Sequence, residues 1–345
     1  MRNKSILILI LIIIELICFA ESKISKCEKL IKRYHSQKTN NSIEYYDNTN
    51  NKFKLTCNKR CKNHIFKVCK KDLIKWYKLK MKINDFDIEN PKTYNEKIQW
   101  MKLYDNSPLK TQLTDKYLVR DWIKEKIGEK YLIPLLGVWD SFDEINFDLL
   151  PNQFVLKANH GCQFNIIVTN KSKLNIEKAK KKMNKWLKIN FAFKYGFEFQ
   201  YLNIKPKIIA EKYIENINGD VYDYKVFCFN GKAESILVIN DRKTKLKMSF
   251  YDLNWNKLDY IYSFSLNKEI VPKPKNLNLL IELAEKLAEG FSHVRVDFYI
   301  LNDGTIKFGE MTFSSASGIC KWNPIQQDKV FGDLIELPPK KNFFL

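Results

Sequence analysis

Residues 292–313 read SHVRVDFYILNDGTIKFGEMTF, two runs rich in apolar residues on either side of Asp303-Gly304. Asp-Gly is a strong two-residue hairpin signal, because both central positions of a type I′ turn need positive φ. With Asn302 and Thr305 closing the turn, the register sets Phe308 against Tyr299, Glu310 against Asp297 and Thr312 against Arg295. The other face carries Val294, Val296 and Phe298 against Phe313, Met311 and Gly309, an apolar side suited to a core. Directly opposed like charges sit only about 5 Å apart at Cβ and destabilise a sheet unless something compensates. A divalent cation is one compensator, and hard carboxylate oxygens suit Mg²⁺. The segment therefore reads as a metal-binding hairpin with Arg295 beside it, or as a solvated face with scattered charges.

Outward from the hairpin, the composition is that of a folded chain: 45% hydrophobic and 14% aromatic residues among 345, enough for one large core or two moderate ones. The 59 Lys and Arg exceed the 39 Asp and Glu by 20, which favours anionic partners. The lysines are spread along the chain, and no helix-turn-helix, zinc-finger or RNA-motif signature appears, so no nucleic-acid partner is expected.

Arg2 and Lys4 precede an apolar run from Ile6 to Ala20, interrupted once by Glu15. It is short for a membrane span, and Cys18 and Ala20 offer small residues for cleavage. Residues 1–20 read as a secretory signal peptide, with a signal-anchor, and so attachment to a membrane, as the other reading. Residues 21–56 are polar and Asn-rich, a stem without sustained periodicity. Cys27, Cys57, Cys61 and Cys69 make residues 21–71 a small Cys-rich segment, expected to hold two disulfides in one of three connectivities. Zinc held by Cys57, Cys61, His64 and Cys69 is the competing reading. Cys162, Cys228 and Cys320 are read as small buried hydrophobes, and Asn40 and Asn170 lie in glycosylation sequons.

From residue 72 the texture becomes periodic. Thr93 to Glu96 fits a capping box that opens a helix with Ile98, Met101 and Leu103 as its stripe. A second helix is expected over about 113–127, stopped by Gly128. QFVLKAN reads as a strand with Phe154, Leu156 and Ala158 on one side. A basic helix follows over about 176–189, and KPKIIAEKYIE reads as a further strand. DYKVFCF and KAESILVI flank Asn230-Gly231, a second hairpin signal. A last helix is expected over about 277–289. Hairpins mixed with helices, without regular βα alternation, argue an α+β fold.

The phrases NPKTYNEKIQW, DKYLVRDWI, YLIPLLGVWDSFDEI, FVLKANHG, IIAEKYI, DYKVFCFNGK and RVDFY occur in this order over residues 72–338, leaving 339–345 as a tail. Together they resemble the TupA-like ATP-grasp proteins, many of which belong to surface-polysaccharide pathways and are often labelled glycosyltransferases. The resemblance implies an ATP-grasp fold, two α+β subdomains clasping a nucleotide, with ATP and Mg²⁺ as cofactors. It implies Lys157 and Lys225 at the phosphates, and a loop His160, Gly161, Cys162, Gln163, Phe164, Asn165 that closes over them. The family's loop is usually rich in Gly and Ser, so the single glycine and the Phe here are a departure that bears on turnover. Glu211, Lys212, Tyr213 and Ile214 are implied as the hinge that meets adenine and ribose. Asp297, Glu310 and Thr312 are implied as metal ligands, Thr312 standing where many ATP-grasp enzymes carry Asn. Arg295 is implied to offset developing charge. Lys116 and Arg120, one helical turn apart, read as a solvated face, with a position facing the acceptor site as the other reading, and Asp223 reads as a partner for a neighbouring lysine.

The function implied is an amide-forming carboxylate–amine ligase in the secretory pathway, acting on an acidic glycan, a sugar acid or an amino-acid-bearing polymer. Two alternatives stay open: a glycosyl or phosphoryl transferase on the same fold, and a non-catalytic glycan-binding protein.

Overall fold

The computed structural model describes residues 25–38, 44–46, 52–54, 59–214, 222–240, 247–262 and 270–341. The leader run at residues 6–20 lies outside the described residues, as does Cys57; among the described residues no helix is long and apolar enough to cross a membrane. The chain divides into two compact units: Met1–Asp85 with Tyr195–Phe197 and Leu345, and Phe86–Lys194 with Glu198–Phe344.

The first unit holds helix α1 (Lys26–Lys38), a short antiparallel pair β1 (Glu44–Tyr46) and β2 (Lys52–Lys54), and helix α2 (Lys59–Met81). Ile65, Cys69, Leu73 and Tyr77 recur every fourth residue of α2 and are all buried, so they form one stripe. Cys27 and Ile31 face inward with the same spacing on α1, and a disulfide joins Cys27 to Cys69. Part of the expected structureless stem is thus a helix, and the boundary expected at residue 72 falls inside α2. Because Cys69 is bonded to Cys27, it is no zinc ligand, which removes the zinc reading.

In the second unit Thr93 caps helix α3 (Tyr94–Tyr104) with the expected reciprocal box: Thr93 Oγ1 accepts the Glu96 amide, and Glu96 Oε2 accepts the Thr93 amide at 3.1 Å. The helix expected over 113–127 is two. Ser107 and Pro108 open α4 (Pro108–Thr114), and α5 runs Val119–Lys126. Asp115 divides them, its carboxylate accepting the amides of Tyr117 and Leu118 at 2.8 and 3.2 Å in place of helical carbonyls.

β3 (Leu135–Trp139), β4 (Phe154–Ala158), β5 (Asn165–Val168) and β6 (Ile208–Lys212) form an antiparallel sheet in the order β3-β6-β4-β5. Helix α6 (Ile176–Leu187) packs Ala179, Met183 and Trp186 inward. A six-stranded sheet has the order β10-β9-β8-β7-β12-β13, built from β7 (Tyr222–Phe229), β8 (Lys232–Asn240), β9 (Lys247–Tyr251), β10 (Lys257–Leu258), β12 (His293–Ile300) and β13 (Ile306–Thr312). β11 (Ile261–Tyr262) pairs with β14 (Trp322–Asn323), and the remaining α-helices among the described residues are α7 (Leu277–Ala288) and α8 (Gln327–Leu334). The Asn230-Gly231 turn forms as expected, with φ of 49° and 81° and Phe229 opposite Lys232.

Helix α7 lies on β7, β8 and β12, and Leu280, Leu283 and Leu287 meet Val226, Val294, Val296 and Phe298 in one core. Phe298 is fully buried, and a phenylalanine so placed contributes about 2 kcal/mol by area alone. That apolar face leaves the opposite face of β7, β12 and β13 to carry the charges.

Candidate functional site

The terminal hairpin places Glu310 opposite Asp297 and Thr312 opposite Arg295, through two departures from an ideal hairpin that cancel. Leu301, not Asn302, closes the turn with Thr305 at 3.0 Å, and Gly304 alone has positive φ, at 84°. The three-residue loop shifts the pairing by one, so Phe308 faces Phe298 rather than the expected Tyr299. A bulge at Gly309 shifts it back. A Cβ on Gly309 would stand 3.0 Å from the Asp297 carbonyl oxygen, a tight contact that glycine avoids.

The two facing carboxylates are held by cations. Arg295 donates Nε to Asp297 Oδ1 and Nη2 to Asp297 Oδ2, both at 2.7 Å, and Nη2 also reaches Glu310 Oε1 at 3.2 Å and Thr312 Oγ1 at 3.0 Å. Lys225, on the neighbouring strand β7 and opposite Asp297 in register, pairs with Asp297 and, at 2.8 Å, with Asp223. Burial works to raise the Asp297 carboxyl, but the charges of Arg295 and Lys225 outweigh it and hold it below the usual carboxylate range. Burial likewise opposes the Lys225 ammonium, and Asp223 and Asp297 more than offset it, so its pKa is raised.

A second set of cations converges from the four-stranded sheet, from α5 and from the break before it. Glu211 on β6 accepts from Lys157 at 2.5 Å and from Arg120 at 3.1 Å, while Arg120 also holds the Ile133 carbonyl at 2.9 Å. Lys116 donates to the Gly161 carbonyl at 2.7 Å and lies 3.8 Å from Glu310 Oε2. Lys116, Arg120, Lys157 and Glu211 line one cleft with Leu132 and Phe308. Lys116 and Arg120 therefore face the site and not solvent, because the break at Asp115 turns the chain. Asp115 also accepts from Asn159 Nδ2 at 2.8 Å, which ties that break to the end of the Lys157 strand. The phrase DKYLVRDWI carried the signal.

The loop after β4 divides its residues. His160 is buried, its Nδ1 3.3 Å from Asn159 Oδ1 and its Nε2 3.1 Å from the Trp186 carbonyl, so its ring is turned away from the cleft; burial lowers its pKa. Phe164 stacks on Trp186 at 5.2 Å and meets Phe191 edge-on at 5.5 Å. A Cβ on Gly161 would meet the Phe164 ring at 2.5 Å, so the loop's one glycine accommodates its one large ring. Cys162 is half-buried and Asn165 is exposed, paired in register with Lys157. Cys228 and Cys320 are buried, as read from the sequence. Lys212 is exposed beyond Glu211, its amide donating to the Pro134 carbonyl at 2.9 Å, and Tyr213 and Ile214 follow half-buried.

Beyond the expected residues lies a buried polar cluster. Lys102 on α3 donates to Gln99 Oε1 at 3.0 Å and to the carbonyl and hydroxyl of Ser317 at 2.8 and 2.9 Å. Gln200 Nε2 donates to Ser314 Oγ at 3.0 Å, and Arg295 Nη1 reaches Ser315 Oγ at 3.4 Å. Ala316, Ser317 and Gly318 are consecutively left-handed, with φ of 46°, 52° and 62°. For Ala and Ser such backbone costs about 1–2 kcal/mol per residue and marks sites where structure is held for a purpose. Burial lowers Lys102 to about 7, opposed by the charge of Glu198, and raises Glu198 to about 7. Lys102 sits one turn after Ile98 on the apolar stripe of α3, and a charge at a core position was its signal in the sequence.

Among the described residues no group of three or more His, Cys, Asp and Glu side chains is arranged to hold a metal unaided. Asp297, Glu310 and Thr312 supply two carboxylates and a hydroxyl on one face. Mg²⁺ at nucleotide sites takes one or two carboxylates and completes its shell with phosphates and water, so this donor set fits.

Three solved structures with which the chain shares similarity are N5-carboxyaminoimidazole synthetase from Staphylococcus aureus, L-amino acid ligase from Bacillus licheniformis, and D-alanine–D-alanine ligase from Bacillus anthracis complexed with ATP. Their identities to this chain are 12, 11 and 16%, and their TM-scores 0.34, 0.38 and 0.34. The similarity covers 58, 72 and 59% of this chain, and the chain spans about half of each structure, 44, 54 and 55%. Among curated proteins none matches. The family model described as TupA-like ATPgrasp matches residues 96–336. That match takes in every charged side chain of the hairpin, the cleft and the buried cluster, and the chain belongs to the TupA-like ATP-grasp family.

Proposed function

We propose that this chain is an ATP- and Mg²⁺-dependent ligase that activates a carboxylate as an acyl phosphate and passes it to an amine, forming an amide. The observation that carries the reading is Lys116, which links the Gly161 carbonyl of the loop to Glu310 of the hairpin and so joins the two halves of a charged cleft. In this reading Lys157, Arg120 and Lys116 meet the phosphates, exchanging their present carboxylate and carbonyl partners for phosphate oxygens. Glu211 and the backbone of Lys212, Tyr213 and Ile214 meet the nucleoside. Asp297, Glu310 and Thr312 hold Mg²⁺, which when bound spreads the charge of the transferring phosphoryl group. Arg295 and Lys225 keep Asp297 ionised, Arg295 holds Asp297 and Glu310 together, and Arg295 offsets charge as it develops.

The family and the excess of 20 positive charges support an anionic acceptor, an acidic glycan, sugar acid or amino-acid-bearing polymer, handled in the secretory pathway behind the leader at residues 1–20. The test is calorimetric titration of ATP with and without Mg²⁺ into the wild type and an Asp297→Asn, Glu310→Gln double variant. Metal-dependent binding that weakens at least tenfold in the variant is expected, about 1.4 kcal/mol. Absence of binding to the wild type sinks the reading. A non-catalytic glycan-binding role would then take its place, favoured by the inward turn of Phe164 and by cations that are already paired with carboxylates. Mass analysis of products separates the ligase from a glycosyl or phosphoryl transferase.

A further inference from the structure

Helix α6 carries a charge pattern that its own stability does not need. Between Glu177 and Glu198 the chain has seven lysines and no Asp or Glu, a denser excess than its 59 basic and 39 acidic residues give overall. Ala179, Met183 and Trp186 form the buried face of α6. Lys178, Lys181, Lys182 and Lys185 recur at i, i+3, i+4 and i+7 on the opposite face, all exposed. Lys188 at the C-cap extends this stripe to about 15 Å. Lysines so spaced repel one another, and Lys178 in the first turn also opposes the helix dipole. Lys180, off the stripe, pairs with Asp143 at 2.5 Å. Among the described residues no carboxylate pairs with Lys178, Lys181, Lys182 or Lys185.

The stripe stands behind the sheet that bears Lys157. Helix α6 lies against β4 and the turn Phe142–Glu144. Phe154 of β4 meets Phe147 at 6.3 Å, and Phe147 meets Phe142 at 5.5 Å, so α6 covers the Phe154 side of the strand. Lys157, three residues on, points to the other side, into the cleft. Helix and cleft loop are nevertheless joined. Trp186 stacks on Phe164 at 5.2 Å, its carbonyl lies 3.1 Å from His160 Nε2, and the Lys182 ammonium sits 4.8 Å over its ring.

The residues on the stripe narrow its partner. No aromatic ring stands there to stack a nucleic-acid base, since Trp186 is buried. No apolar side chain stands there to enter a bilayer, because Ile176, seven residues before Met183, lies on the inner side. Asn184, on the flank between Lys181 and Lys188, offers an amide suited to hydroxyls. We infer that the Lys178–Lys188 face of α6 holds a linear acidic glycan, its carboxylates along the ammonium stripe and its hydroxyls at Asn184. The inference deepens the ligase reading and rests on it for the polymer's role as acceptor. A polymer held by its length on α6 and passing the edge strand β5 presents its end to the cleft at a raised local concentration.

The test titrates polygalacturonate, a linear polymer of sugar acids, into the full chain without nucleotide, with binding read by calorimetry. One variant combines Lys178→Gln, Lys181→Gln, Lys182→Gln and Lys185→Gln, glutamine being about as good a helix former as lysine. A second removes the same charge elsewhere, through Lys273→Gln, Lys275→Gln, Lys321→Gln and Lys341→Gln, all at exposed positions. The α6 variant should bind about tenfold more weakly than the wild type, and the second variant within about threefold of it. Equal weakening of the two overturns the assignment, because net charge and not the stripe would then govern binding. Absence of polymer binding by the wild type overturns it, as does tighter binding to oligothymidylate or to vesicles of equal parts phosphatidylserine and phosphatidylcholine. Mg²⁺–ATP binding is measured on the same samples. If the α6 variant keeps full polymer binding while ATP binds, the surface fails alone; if the wild type does not bind ATP, the ligase reading fails and the polymer titration still decides the surface.

Discussion

Asp297 and Glu310 face each other across β12 and β13, and a single nitrogen of Arg295 reaches both, at 2.7 Å from Asp297 and 3.2 Å from Glu310. Two like charges in register would push the strands apart. Here the guanidinium between them makes the pair the organising feature of the sheet's polar face. Arg295 is itself largely buried, so its removal leaves Asp297 to Lys225 alone. Arg295→Met should cost about 3 kcal/mol in urea unfolding, the usual consequence of breaking a buried pair on one side. A loss below about 1 kcal/mol would mean that Lys225 suffices for Asp297.

Gly309 sets the register that brings the carboxylates together. A methyl group there meets the Asp297 carbonyl at 3.0 Å and the Tyr299 ring at 3.3 Å. Gly309→Ala is expected to cost about 1–2 kcal/mol and to weaken Mg²⁺-dependent ATP binding as Glu310 moves out of line. Unchanged ATP affinity would show that the bulge is not what aims Glu310.

The buried pair Glu198 and Lys102 makes stability depend on pH. Glu198 titrates in the fold at about 7, above its ordinary value, so its ionisation costs stability as pH rises from the unfolded carboxylate range through 7. Lys102 is lowered to about 7, so its cost is complete below 7 and is relieved as pH climbs towards the ordinary lysine range. Their joint contribution is least favourable near neutrality. Glu198→Gln removes the Glu limb and should gain on the order of 2 kcal/mol over the wild type between pH 5 and pH 8. Thermal melts of both proteins at the two pH values read it. Parallel curves would mean that Glu198 titrates as an exposed carboxylate does.

The Cys27–Cys69 bond closes a loop with a sequence separation of 42 and lies wholly within the first unit. Loop entropy assigns it about 4 kcal/mol. Reduction should lower the melting of that unit by this order and leave Mg²⁺–ATP binding to the second unit unchanged. Loss of nucleotide binding on reduction would tie the two units together in function.

Much of the site was legible because its residues lie on strands, where side chains alternate and turns carry strong local signals. The pairing of Asp297 with Glu310 followed from Asp303-Gly304 and simple counting, although the count succeeded through two offsets that cancel, at Leu301 and at Gly309. Thr93, Asn230-Gly231 and the buried face of Phe154, Leu156 and Ala158 also matched their local patterns. Lys116 and Arg120 did not. Their helix was read as continuous, and only the carboxylate of Asp115, bonded to Asn159 far along the chain, bends it towards the cleft.

The sequence by itself determined the hairpins, the capped helix at Thr93, the paired carboxylates and the family, since these depend on residue order over short spans: period, turn chemistry and motif spacing. Tertiary structure alone decided which charges meet. Whether Glu211 faces Lys157 and Arg120, and whether Lys102 is buried beside Ser317, depend on how distant strands and turns converge. Burial and electrostatic pairing act through space, and no count along the chain contains those distances.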